Sequence, residues 1–266
     1  MPPRFVQFFF GLKPVEEKEF KKLAGCTFFS GKRNYERLLK QLSVLKKSGK
    51  AEPSDIFNDL LTSVKMNKRA LWNRLSELNS IAEKYVVLKN ISSDEIKEKS
   101  LLLDELSKRR DHRTMMLQEK PVLRLLEGSA NPNEASNYER DILLHLSQMH
   151  TERDDYESSA ALYTRYSNLT ALNFLTDSYR HLLDRELQKR NNIMLQDSLV
   201  GRLIGSMDTS AVLKEMYAAF PERSAPLGIY YNLFAAFSNP EKDLPYFSAK
   251  RIFLENSNTF TRNFTN

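Results

Sequence analysis

The sequence predicts an all-α protein: stacked helical hairpins forming an irregular α-solenoid, degenerate and tetratricopeptide-like. Three observations predict it. Glycine is scarce, 8 of 266 residues, while Leu, Lys, Glu, Ala and Arg are plentiful and β-branched runs are few, a balance that favours helix. Apolar residues recur at three- and four-residue steps in one segment after another. Pro, Gly and Asn gather between those segments, where helices stop. The longest stretch with a single period is 169–204. There Leu172, Leu175, Tyr179, Leu182, Leu183 and Leu187 fall on one face and Asp177, Arg180, Asp184, Arg185, Gln188 and Lys189 largely on the other, which predicts one long amphipathic helix with a single buried stripe.

The remaining elements follow in order. Phe8, Phe9, Phe10 and Leu12 form an aromatic cluster ahead of a helix that Pro14 opens, Glu16, Glu17 and Glu19 favour electrostatically, and Gly25 stops. Its buried side is Phe20, Leu23 and Ala24. A second helix over 34–47 carries Tyr35, Leu38, Leu39, Leu42 and Leu45. Ser54 caps a third to Val64, and Lys65-Met66-Asn67 turns into a fourth over 68–88 with Leu71, Leu75, Leu78, Ala82 and Tyr85 in register. Helices over 94–108 and 114–126 lead to Gly128–Asn133 (GSANPN), the strongest breaker cluster and the candidate domain boundary. A hairpin of 133–150 and 156–167 follows, in which Ala160 and Ala161 let two helices approach closely. Asp208 or Thr209, Pro226 and Pro240 frame the last helices, to Phe220, to Phe237 and over 244–256. Tyr230, Tyr231, Leu233, Phe234 and Phe237 read as helix-packing core.

Two regions result: a basic helical region over 1–127 containing a helix-turn-helix-like pair at 54–88, and a helical-repeat-like region over 133–266. The net charge of +6 is uneven: residues 1–90 hold 18 Lys/Arg against 9 Asp/Glu, and residues 121–266 hold 15 against 18. A basic block suits nucleic acid or an acidic partner, although a Lys-rich helix face is more often solvated surface. The single Cys26 forms no internal disulfide and reads as a small buried thiol in a reducing compartment. Neither a signal peptide nor a membrane span is expected, which makes the default location cytoplasmic.

The sequence contains no GxxxxGK[ST], GxGxxG, GxSxG or HExxH pattern. His145 and His150 stand five residues apart, on different sides of a helix, unlike a metal-binding pair; all four histidines read as satisfied or surface groups. No catalytic, cofactor-binding or metal-binding residue is assigned, and no cofactor is expected. The one set with a possible site chemistry is Lys68, Arg69, Asn73 and Arg74, which lead the fourth helix and are of the type that touches phosphates or bases.

The segments FFFGLKPVEEKEFKKLAGCTFF (8–29), KRNYERLLKQL (32–42), DIFNDLL (55–61), LWNRLSELNSIAEKYVVL (71–88), TDSYRHLLDRELQKRN (176–191) and IYYNLFAAFSNPEKDLPYFSAKRIFLEN (229–256) resemble an uncharacterised family of all-helical bacterial proteins. These signatures are packing patterns, and the resemblance implies an all-helical fold without an activity, a substrate or site residues. Its members continue through further helix pairs, so the chain is expected to be a shortened version of a longer protein. The function expected is a non-enzymatic scaffold that binds another protein. The alternative is a DNA-binding regulator using the pair at 54–88.

Overall fold

The computed structural model describes residues 4–31, 33–48, 53–127, 132–193, 198–221 and 223–257. Helix makes up 84% of the described residues, and no strand occurs among them. The chain divides into two compact units, Met1–Asp94 and Glu95–Asn266. The sequence reading puts its break at 128–133 instead. Residues 128–131 lie outside those described, and the helices before and after them belong to the same unit.

The first unit contains α1 (Arg4–Gly11), α2 (Pro14–Gly25), the single-turn α3 (Thr27–Ser30), α4 (Glu36–Lys47), α5 (Pro53–Val64) and α6 (Lys68–Ser92). The aromatic run expected to precede the first helix is itself helical. Phe5, Val6 and Phe9 are buried on one side of α1, because positions 5, 9 and 12 satisfy the helical step that the sequence reading confined to residues 8–12. Phe20 on α2 is fully buried at the centre, with ring centroids 5.6 Å from Phe5, 5.8 Å from Phe8 and 5.7 Å from Tyr85. The stripe Leu71, Leu75, Leu78, Ala82 and Tyr85 of α6 is buried as expected, joined by Ile81. Asn67 caps α6 by accepting a bond from the Ala70 amide at 2.8 Å.

Glu17 ties α2 to α4, and its partner Lys46 reaches α1. Its Oε1 accepts from Lys21 and from Ser43 on α4, both at 2.7 Å, and its Oε2 pairs with Lys46 at 3.4 Å. Lys46 Nζ also donates to the carbonyls of Phe9 and Leu12, so it closes the open C-terminal end of α1.

The second unit contains α7 (Glu95–Lys108), α8 (His112–Glu127), α9 (Pro132–Thr151), α10 (Tyr156–Arg190), α11 (Leu199–Gly205), α12 (Thr209–Ala219), α13 (Ala225–Ser238) and α14 (Leu244–Glu255). Helix α7 packs on α8 and α9, α9 on α10, α10 on α13, and α13 on α14. The expected helix over 169–204 is corrected in both directions. It begins at Tyr156, since no Gly or Pro interrupts 156–190, and it ends at Arg190, where Asn192 takes a left-handed φ of 57°. Asparagine tolerates that conformation and commonly stops helices. Leu169, Leu172, Leu175, Tyr179, Leu182 and Leu183 are buried, whereas Leu187, in the last turn, is 39% exposed.

The close approach of α9 and α10 uses serines in place of the expected alanines. Ser147 and Ser159 are buried with their hydroxyls 3.0 Å apart, and Ala160 and Ala161 face outward. The aromatic stripe of α13 is only half-buried; the fully buried residues are Ala225 to Ile229, at the start of that helix. Tyr231 and Phe234 pack on Tyr179, with centroids at 5.3 and 6.0 Å.

The most buried charge in this unit is Glu139 of α9, which is 1% exposed. Its Oε1 accepts from Arg165 of α10 at 2.6 Å, and its Oε2 accepts from Arg223, just before α13. Glu139→Ala leaves both guanidinium groups without their carboxylate and is expected to lower unfolding stability by about 2–4 kcal/mol, read as a shifted urea midpoint at an unchanged slope.

Glu17 generates a second prediction. Burial pushes its carboxyl upward, but the bonds from Lys21 and Ser43, with Lys46, outweigh burial and hold the pKa at about 2, below the ordinary 4.5. A depressed folded-state value stabilises the protein above the unfolded pKa, and that contribution is lost as pH falls through the folded one. The stability difference between the wild type and Glu17→Gln should therefore shrink between pH 4.5 and about 2, measured by chemical unfolding at a series of pH values.

Candidate functional site

A polar constellation in the first unit is centred on Tyr35, which precedes α4 and is nearly fully buried. Its hydroxyl donates to Glu77 Oε2 on α6 at 2.8 Å. Arg33 pairs with the other oxygen of the same carboxylate. The guanidinium of Arg74 lies 5.7 Å from the Tyr35 ring centre, with Nη1 3.6 Å from Glu77 Oε2. One carboxylate thus serves a phenol and two guanidinium groups, while Lys40 is paired with Glu36 at 2.6 Å. That bond holds the exposed Glu36 carboxyl below its ordinary value. Tyr35 lines two cavities, of about 480 and 620 Å³, within the size range of small-ligand pockets.

The four residues expected at a nucleic-acid surface separate. Lys68, Arg69 and Asn73 are exposed on the first turns of α6, where the three- and four-residue steps put them on one side with the exposed Trp72. Arg74 turns inward to Tyr35 and Glu77. The Tyr35–Glu77 contact spans 42 positions of sequence, and no local pattern announces it.

The histidines occupy four different settings. His150 is buried between two carboxylates, with Nδ1 2.9 Å from Asp155 and Nε2 2.8 Å from Glu119. This arrangement links α8, α9 and the N-cap of α10 through opposite ring nitrogens, which is bridging geometry and unlike chelation. His145 is partly buried; burial lowers its pKa, and Asp104 opposes the shift. His112 meets Glu152 at 2.7 Å, and His181 meets the Ser198 hydroxyl at 3.3 Å. No group of metal-binding side chains occurs among the described residues. Cys26 is exposed and corrects the expectation of a buried thiol: it occupies the corner between α2 and α3.

Compared with known proteins, the chain matches no family model, no curated protein and no solved structure. No described helix is long and apolar enough to cross a membrane.

Proposed function

We propose that the protein is a non-enzymatic helical scaffold that binds another protein through the outer face of α10, in a reducing, cytoplasmic setting. The observation that carries this reading is an exposed stripe opposite the buried one. Tyr156, Ala160, Tyr163, Ser167, Thr170 and Phe174 recur at alternating four- and three-residue steps. The three aromatics in the stripe are 63%, 53% and 44% exposed. A repeat of 3.5 residues is the spacing that accepts a second helix along its length, and 18 residues of rise make a seam of about 27 Å. The chain of neighbours from α7 through α9, α10 and α13 to α14 supports reading the second unit as an irregular α-solenoid. The partner expected is an amphipathic helix of another protein. Capture from native cells, with and without nuclease, tests this: a partner retained in both arms and lost with Tyr163→Arg supports it, and capture unaffected by Tyr163→Arg overturns it.

The DNA-binding alternative is favoured by one arrangement, the shared exposure of Lys68, Arg69 and Asn73 at the start of α6. Fluorescence anisotropy with duplex DNA separates the readings. The scaffold reading expects weak binding that disappears with salt. Submicromolar binding at physiological salt, with a salt slope reduced by about 0.9 for each of Lys68→Ala and Arg69→Ala, would establish the alternative.

A further inference from the structure

We propose that the cavity of about 480 Å³ between the start of α4, the end of α5 and the start of α6 binds a small organic oxyanion, a phosphate or carboxylate carried on an apolar group. The charges around it do not cancel locally. Of the cations lining it, Lys40 is matched by Glu36. Arg37 Nη2 is held by the carbonyl of Ser63 at 3.1 Å, a bond that orients the guanidinium without neutralising it. Arg74 shares the single Glu77 carboxylate with Arg33 and the Tyr35 hydroxyl.

The consequence appears at one atom. Arg74 Nη1 is buried and makes no hydrogen bond, because Glu77 stands at 3.6 Å, close enough for attraction but too far for a hydrogen bond. A buried donor without an acceptor costs about 1–3 kcal/mol and calls for a partner. Two guanidinium groups lining one cavity supply the forked donors that phosphate and carboxylate accept. Val64 and Met66 line the same space and give an apolar wall on which the organic part can rest. The volume of this open cleft suits a molecule of small-ligand size.

Isothermal titration of the full chain with phenyl phosphate and, in a separate arm, benzoate tests the site and identifies the preferred head group. Saturable one-site binding of at least one probe is expected. Arg37→Gln and Arg74→Gln should each weaken it about tenfold or more, while Lys214→Gln, an exposed charge in the other unit, should leave it unchanged. Circular dichroism of each variant checks folding; should Arg74→Gln not fold, Arg37→Gln decides alone. Absence of saturable heat from both probes at ~10 mM, where a millimolar site would fill, overturns the proposal. So does binding that Arg37→Gln leaves intact, or that Lys214→Gln weakens equally.

Discussion

The second unit is organised around a buried carboxylate. Glu139 lies on α9, but its two partners come from α10 and from the segment before α13, so a single side chain fixes the placement of three elements. Apolar stripes alone allow neighbouring helices to slide, because Leu packs on Leu with little penalty for a shifted register. A carboxylate that must meet two guanidinium groups tolerates no such shift. The Ser147–Ser159 contact adds a second constraint on the same helix pair, since hydroxyls 3.0 Å apart require the backbones to approach closely.

In the first unit the same principle changes the meaning of the charge. Residues 1–90 have twice as many basic as acidic side chains, yet part of that charge is paired within the unit. Lys21 and Lys46 are engaged by Glu17, Lys89 by Glu16 and Glu19, and Arg33 and Arg74 by Glu77. A basic composition therefore overstates the basic surface. What remains as an outward basic face at the start of α6 is the shorter set of Lys68 and Arg69, with Asn73 beside them.

The helical elements were legible because periodicity and breakers are local. Pro14, Asn67 and Asp208 mark helix starts that the structure contains, and the α6 stripe is buried as read. Less legible were features set by partners distant in sequence. Helix α1 is too short for its period to stand out before Phe20 and Tyr85 are seen against it. The stretches 156–167 and 169–204 read as two separate helices until the continuous packing of α10 on α9 and α13 is known. Asn191-Asn192 was a readable stop that the apolar residues beyond it obscured. The cluster of Tyr35, Glu77 and Arg74 was not readable, since Tyr35 precedes α4 and reads as part of its apolar stripe, while Glu77 and Arg74, on α6, look like ordinary surface groups.

Helix α10 shows why these two kinds of information meet at function. Over its 35 residues the apolar side chains are not confined to one side; the inner stripe becomes continuous from Leu169 onward, while the outer aromatics begin at Tyr156. The N-terminal half therefore depends for its rigidity on specific contacts: the Asp155 cap on the Ser158 amide, the buried serine pair, and Arg165 held by Glu139. The Asp155 cap and Arg165 act on the side away from Tyr163, and Ser159, one turn before Tyr163, fixes the edge beside it. A helix anchored along one face and held straight presents the other as a fixed ruler, so a partner would meet an ordered surface and avoid most of the entropy cost of ordering it.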